Sequence, residues 1–211
     1  KHNIYATFMP KPLSEHNGSG MHLQLSIFKG EKNIFFDKNE NDNLSKTAKQ
    51  FIAGLIKHTP EIMLLTNQWV NSYKRLVSGF EAPTHATWSL TNFSDLIRIP
   101  KIKLKEIDSA RIEYRVPDPA CNPYLALAAI LAAGIQGIEK KYTLKKVAET
   151  GSQPLPNSLG EAIIEFKKSK LMEQLLGKQS YEALLRNKEE EWDSYNRQIS
   201  DYEIKKYLSI L

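Results

Sequence analysis

The stretch RIEYRVPDP, residues 111–119, alternates polar and apolar side chains, which is typical of a half-buried β-strand. Arg111, Glu113 and Arg115 share one face, and apolar side chains occupy the other. Two prolines predict that the strand stops at the end of the stretch. Two guanidinium groups beside a carboxylate suit a solvated face with cross-strand ion pairs. They also suit a floor that binds phosphate or carboxylate groups and leaves the carboxylate free for a metal.

The segments after this strand predict helices. Asn122 suits an N-cap and Pro123 the first helical position. Residues 123–139 are apolar nearly all round, which predicts a buried helix. Further helices are predicted at residues 44–58 (ended by Pro60), at 61–66, after the cap Ser158, and at about 180–197.

The beginning of the chain predicts two strands and a loop. Residues 4–10 have a strand-like composition. The loop NGSG, residues 17–20, either brings its backbone close to a ligand or forms an ordinary hairpin turn. His22, Gln24 and Ser26 then share one face of a predicted strand, so His22 is either a metal ligand or a structural histidine.

The middle of the chain adds two more polar elements. Residues 71–83 are polar and contain a glycine, so we interpret them as an active-site loop bearing Arg75 and Glu81, or as a surface connection. Residues 95–100 predict a strand with Arg98 on its polar face, followed by a charged connector at 101–108. We therefore predict an α+β fold: an antiparallel sheet with a charged concave face backed by helices, and a helical C-terminal tail.

Composition excludes several classes of protein. The chain has 211 residues, is 41% hydrophobic and carries a net charge of +5. Lysine or glutamate interrupts each apolar run, which argues against a membrane span. Lysine and arginine are dispersed without interleaved aromatic residues, which argues against nucleic-acid binding. Cys121 is the single cysteine, so no internal disulfide is possible and a reducing, cytoplasmic location is favoured.

These motifs together resemble the catalytic domain of glutamine synthetase, and their order agrees with that family. The matching segments are KP at 11–12 with NGSGMH at 17–22, NSYKRLV at 71–77 with GFEAP at 79–83, IRIP at 97–100, and RIEYR at 111–115 with the following PDP and NPYL. The resemblance covers essentially the whole chain. It implies that residues 1–211 are the C-terminal portion of the catalytic domain, without the N-terminal β-grasp domain and the first part of the catalytic domain. The start at Lys1 rather than at methionine also leads us to expect a fragment.

The resemblance implies a glutamate–ammonia ligase. In that reaction metal-bound ATP phosphorylates the side-chain carboxylate of glutamate, and ammonia attacks the resulting γ-glutamyl phosphate. The implied cofactor is Mg²⁺ or Mn²⁺, and the implied partners are ATP, glutamate and ammonia. Family members form stacked hexameric rings, so a homo-oligomer is implied as well. We expect the isolated segment to be inactive.

By the same resemblance, His22 and Glu113 are implied to be metal ligands. The residues implied to lie at the nucleotide are Gln24, Ser26, Arg98 and Arg111. Those implied to bind glutamate are Asn17, Gly18, Arg75, Glu81 and Arg115. Catalysis is implied for Arg98 at the phosphates, for Arg75, and for Glu81, which takes a proton from bound ammonium on a flap that shields the intermediate.

Three departures from the family pattern fall on the nucleotide side. Phe93 stands where many relatives have an arginine, Asp108 where many have a lysine, and Gln24 replaces a common histidine. Two alternatives therefore stay open: a γ-glutamyl ligase that uses another amine, and a non-catalytic assembly or binding subunit. The intact NSYKRL and FEAP motifs favour ammonia.

Overall fold

The polar strand identified in the sequence is an inner strand of a four-stranded sheet. The computed structural model describes residues 2–101, 107–145 and 153–211, with the backbone alone for residue 107. The connector expected at 101–108 therefore falls partly outside the described residues. The elements are β1 (Leu23–Leu25), β2 (Phe28–Lys29), β3 (Lys32–Asn33), α1 (Lys46–Thr66), α2 (Val70–Arg75), β4 (Trp88–Ser89), β5 (Ile97–Arg98), a 3-10 turn (Ile107–Ser109), β6 (Ile112–Tyr114), α3 (Pro123–Glu139), α4 (Leu159–Lys167), α5 (Lys170–Asn196) and α6 (Asp201–Tyr207).

The sheet has the strand order β1-β6-β5-β4. Strands β1, β6 and β5 pair antiparallel, and the short β4 joins β5 in parallel. The register aligns Gln24, Glu113, Arg98 and Ser89 in one row, and Leu23, Tyr114, Ile97 and Trp88 in the next. Because successive side chains point to opposite faces, one face is polar and the other apolar. The predicted α+β fold with a charged sheet face is confirmed.

The apolar face of the sheet packs on helices that bury it. Tyr114 and Ile97 belong to the same core cluster as residues of α1 and α3. The hydroxyl of Tyr114, which is fully buried, lies 2.9 Å from Thr59 Oγ1 on α1. A buried hydroxyl requires such a partner, so this contact fixes how α1 lies against β6.

Three predicted helices differ from those in the structure. Helix α1 does not end at Pro60 but continues to Thr66, because residues 62–65 are fully buried and their packing outweighs the missing proline hydrogen bond. Helix α5 begins at Lys170, and Gly177 (φ 70°) interrupts it with a kink. Helix α3 has the predicted bounds and the predicted Asn122 cap, but only one face is buried, made of Ile130 and small residues, while Tyr124 is 83% exposed.

Two further segments also differ from prediction. Residues 4–9 pair with no strand among the described residues, and Tyr5 is 91% exposed. A strand needs a neighbour for its backbone groups, so the strand predicted there is wrong for this chain. The segment predicted as a loop at 71–77 is largely helix α2. Across the described ranges, no helix combines the length and hydropathy needed to cross a membrane.

Candidate active site

Glu113 lies at the centre of the polar face and contacts three of the predicted site residues. Its Oε2 accepts a hydrogen bond from Arg98 Nε (2.6 Å), and its Oε1 accepts one from Arg115 Nη1 (2.7 Å). His22 Nδ1 is 3.2 Å from Oε1. The antiparallel register brings these side chains together, since it places β1 and β5 on either side of β6. The two predicted metal ligands, His22 and Glu113, are therefore neighbours.

Glu113 remains a carboxylate although it is only 4% exposed. Burial by itself raises its pKa, but the hydrogen bond from Arg98 and the charges of Arg115 and Arg98 outweigh burial, so the pKa is lowered overall. Two arginines thus hold a buried negative charge in a fixed position. A carboxylate paired in this way can also accept a cation on its free lone pairs.

His22 is neutral at physiological pH. Burial, and next the charges of Arg115 and Arg75, lower its pKa to about 4, while Glu113 opposes this shift. Arg115 Nη1 lies 3.3 Å from the same Nδ1 that faces Glu113. Donation by Arg115 requires a lone pair on Nδ1, whereas donation to Glu113 requires a proton there, so the two contacts favour opposite tautomers. A neutral imidazole with a lone pair available is the form that binds a metal.

The donor set for a metal is incomplete in the described residues. A histidine nitrogen and a carboxylate oxygen suit a divalent cation. However, residues 2–101, 107–145 and 153–211 contain no cluster of three or more histidine, cysteine, aspartate or glutamate side chains that could hold one. His22 and Glu113 therefore fit part of a metal site, and further ligands would have to come from elsewhere.

Phe93 covers the two arginines that contact Glu113. Its ring centroid is 4.7 Å from Arg98 Cζ and 5.5 Å from Arg115 Cζ. A cation over an aromatic face is attracted by the ring quadrupole, so Phe93 restrains both guanidinium groups without adding charge. Sequence reasoning identified Phe93 only as a missing arginine, because the period-2 pattern of the strands does not extend to its loop.

Arg111 and Gln24 form a second contact on the polar face. Arg111 Nε donates to Gln24 Oε1 (2.8 Å), and Arg111 Nη1 donates to the carbonyl of Ser109 (3.0 Å). Ser26 follows β1 and is exposed, like Gln24. Three of the four residues predicted at the nucleotide, Gln24, Ser26 and Arg111, therefore lie on the β1 side of the polar face, whereas Arg98 contacts Glu113 from β5.

Arg75 does not lie on the open face. It is 3% exposed, and it donates to the carbonyls of Val116 (2.7 Å), Pro117 (3.2 Å) and Arg115 (3.0 Å). Burial, opposed by Asp118, lowers its pKa to about 10. The substrate contact and catalytic role implied for Arg75 stay predictions; in this structure Arg75 is as buried as Arg115, and its guanidinium contacts backbone carbonyls. Through these hydrogen bonds Arg75 fixes the backbone of residues 115–117, and therefore the position of Arg115.

The glycine loop, residues 11–20, packs directly over Arg75. A Cβ on Gly18 would lie 2.4 Å from the carbonyl of Pro10 and 2.8 Å from Arg75 Cγ, so this position requires glycine. The N–H of Met21 donates to the carbonyl of Pro117 (2.9 Å), which ties the end of the loop to the segment that follows β6. Asn17 is exposed at the rim of the polar face.

The Glu81 loop, residues 77–83, reaches the same cluster from the other side. The carbonyl of Glu81 accepts a hydrogen bond from Arg115 Nη2 (3.4 Å), while its side chain is exposed. Arg115 is 3% exposed, and its Nε has no hydrogen-bond partner among the described residues. A buried guanidinium with an unpaired N–H beside an exposed carboxylate can bind an anion and present a proton acceptor to it.

Comparison with known proteins identifies relatives that match nearly the whole chain. The chain is 46% identical over 220 aligned residues to the glutamine synthetase of Mycolicibacterium smegmatis, covering 98% of this chain and 49% of that protein. It is 42% identical over 220 residues to the glutamine synthetase of Thermotoga maritima, covering 98% and 49%. The chain thus spans about half the length of these relatives.

Solved structures have the same fold. The cryo-EM structure of Plasmodium falciparum glutamine synthetase superposes with a TM-score of 0.87 at 28% identity, covering 95% of this chain and 49% of that chain. A structure described as a GmaS/ADP complex gives a TM-score of 0.85 at 33% identity, covering 96% and 49%. Residues 1–207 match the family model for the glutamine synthetase catalytic domain. The chain therefore belongs to the glutamine synthetase family.

Proposed function

We propose that this chain is the C-terminal part of the catalytic domain of a longer protein that ligates ammonia to glutamate at the expense of ATP. Its coverage of about half of each relative supports the proposal, as does the name glutamine synthetase that those relatives carry. The reaction proceeds through γ-glutamyl phosphate: the γ-phosphoryl group of ATP passes to the glutamate side chain, and ammonia then displaces phosphate.

The observation that carries the proposal is the cluster of Arg98, Arg115 and His22 around Glu113. Phosphoryl transfer depends on positioning and on positive charge around the transferred oxygens. Arg98 lies at the edge of this cluster, with its side chain 22% exposed, so it can turn toward phosphate oxygens while Glu113 orients it.

His22 and Glu113 would hold one Mg²⁺ or Mn²⁺, together with ligands from outside the described residues. When bound, the cation neutralises charge on the phosphate oxygens. The neutral state of His22 and the ionised state of Glu113 are those that ligation requires. An incomplete ligand set also explains why the isolated segment is expected to be inactive.

The nucleotide would lie along Arg111, Gln24 and Ser26, which occupy the β1 side of Glu113, and Arg98 would reach its phosphates from β5 on the other side. The description of one structural neighbour as an ADP complex supports a nucleotide site in this fold. Phe93 lowers the positive charge available there compared with an arginine. We therefore infer that nucleotide binding in this protein depends strongly on Arg98 and on the cation.

Glutamate would bind at Arg115, Asn17 and Gly18. The Nε of Arg115 has no hydrogen-bond partner among the described residues, and its N–H would donate to a substrate carboxylate once the surrounding loops open. Glu81, on the neighbouring loop, would accept the proton of bound ammonium and help to shield the intermediate from water. Arg75 acts through Arg115, whose backbone it holds.

Assembly of the longer protein into a homo-oligomer of stacked hexameric rings is part of the proposal. The C-terminal residues support a partner surface, because Tyr202, Leu208 and Ile210 are exposed. We also infer a cytoplasmic location, with neither nucleic acid nor membrane as a partner; the single cysteine, Cys121, is a buried free thiol, as a reducing compartment favours.

The test is γ-glutamyl hydroxamate formation by the longer protein with ATP, glutamate and hydroxylamine, and glutamine formation with ammonia. Glu113→Gln is expected to abolish both activities, and the exposed Glu165→Gln is expected to keep them. Turnover only with larger amines would favour the alternative ligase. No turnover with any amine would overturn the ligase proposal and favour a non-catalytic subunit.

A further inference from the structure

A buried lysine connects the two loops that border the polar face. Lys11 is 8% exposed, and its ammonium lies 3.5 Å from the centroid of the Phe80 ring. The same ammonium donates to the carbonyl of His16. Phe80 directly precedes Glu81. One side chain thus contacts both the glycine loop and the Glu81 loop.

The backbone of Lys11 is fixed to a helix. Its N–H donates to Asn71 Oδ1 (2.8 Å), and its carbonyl accepts a hydrogen bond from Asn71 Nδ2 (3.0 Å). Asn71 lies in α2, whose buried residues include Tyr73. The reciprocal pair therefore ties Lys11 to the packed body of the protein, so its side chain starts from a defined point.

Residues 78–81 of the Glu81 loop have few other restraints, whereas the following Ala82 is buried in the core. Gly79 has a φ of 91° and Glu81 a φ of 51°, and the second is unfavourable for a residue with a side chain. No amide of residues 78–82 donates a hydrogen bond to another described residue. The bond from Arg115 to the Glu81 carbonyl is long, at 3.4 Å. A loop with strained backbone and few bonds needs another contact to stay in one conformation.

We propose that Lys11 is a positioning residue that holds the Glu81 loop against the polar face through the ring of Phe80. The attraction between an ammonium and an aromatic face grows when water is excluded, as it is here. Because Glu81 follows Phe80, the Lys11–Phe80 contact sets the distance between Glu81 and Arg115. The consequence for catalysis rests on the proposed function, whereas the contact itself joins two residues of this chain and does not depend on that function.

The test measures how often the loop opens. A glutamate-specific protease cleaves the Glu81–Ala82 bond, which is the same in every variant, and native-state cleavage follows the open population when reclosing is fast. Lys11→Met keeps the apolar stem without the charge, and Phe80→Leu removes the ring. Each is expected to speed cleavage about five- to tenfold, as the loss of one cation–π contact implies. The effects of the two changes are expected to multiply only partly in the double variant, because both single variants lose the same Lys11–Phe80 contact.

Three controls separate the loop contact from general stability. Lys11→Arg keeps a cation and is expected to remain within about twofold of the wild type. Lys57→Met removes a lysine 4.2 Å from the Tyr142 ring and is expected to leave cleavage after Glu81 unchanged. Cleavage after Glu31, an exposed residue of the turn between β2 and β3, provides the internal reference.

The proposal fails if Lys11→Met leaves cleavage after Glu81 unchanged, or if Lys11→Arg is as fast as Lys11→Met. It also fails if Lys11→Met speeds cleavage after Glu31 by the same factor, since the lysine would then support the whole fold. This measurement needs no turnover. A longer protein without ligase activity would therefore overturn the proposed function and leave the Lys11–Phe80 contact standing.

Discussion

Replacing Glu113 with glutamine is expected to destabilise the chain strongly, because it removes the only carboxylate among the described groups that contact Arg98 and Arg115. The two bonds measure 2.6 and 2.7 Å, and a hydrogen bond to a charged group contributes about 1.5–3 kcal/mol. Glutamine keeps one acceptor oxygen but turns an NH₂ group toward a guanidinium. Breaking a buried ion pair costs about 3–5 kcal/mol. Because the Arg98 side chain is 22% exposed, we expect the lower end, about 3 kcal/mol.

The assay is urea unfolding of the 211-residue chain, followed by far-UV circular dichroism. A stability change should move the midpoint without changing the slope. The matched control is Glu165→Gln, whose carboxylate pairs with Lys168 at 2.6 Å on the surface. An exposed pair contributes little, so the control is expected to lie within about 0.5 kcal/mol of the wild type. A loss below about 1 kcal/mol for Glu113→Gln would refute the reasoning, since the cluster would then not be paired and buried as described.

Three further predictions follow from protonation. Without metal, the free energy of unfolding should fall as the pH drops from 6.5 toward about 4, because His22 has a pKa of about 4 in the folded chain and takes up its proton at higher pH when unfolded. The variant His22→Gln should show a flatter pH dependence in this range. The same curve for the variant and the wild type would contradict the prediction. Below about pH 4.3 a second loss is expected as Glu113, with its lowered pKa, is protonated, and Glu113→Gln should lack it. Burial, and next the charge of Asp118, raises the pKa of the Cys121 thiol to about 11. Iodoacetamide at pH 8 should therefore label the folded chain at least about tenfold more slowly than the unfolded chain. Equal labelling rates would contradict this prediction, since the thiol would then be accessible in the folded chain.

The sheet could be predicted from sequence because its signal is local. Alternation over residues 111–116 and 22–27 determines which side chains share a face, and the structure keeps those faces. The bounds of α3 and its Asn122 cap were also predictable, since caps act within one helical turn. The helix end predicted at Pro60 was wrong, because the burial of residues 62–65 is a tertiary effect that outweighs the local tendency of proline to end a helix.

The candidate site was only partly predictable. The sequence placed His22, Glu113, Arg98 and Arg115 on polar strand faces, and the family motifs suggested their roles. It could not indicate that Arg75 is buried beneath the glycine loop, or that Phe93 covers Arg98. Both facts depend on loops whose paths follow no periodic pattern. The same holds for the contact between Lys11 and Phe80, since β1, β2, β3, α1 and α2 all lie between them in the sequence.

The sequence by itself determined the family, the polar and apolar faces of the strands, and the residue types that can bind phosphate, carboxylate and metal, because these depend on neighbours within a few residues. Only the tertiary structure decided that β6 lies between β1 and β5, that Glu113 touches two arginines and a histidine, and that Arg75 binds backbone rather than facing the open site. The physical reason is that contacts between residues far apart in sequence depend on strand register and chain crossing, and the whole buried core selects these together.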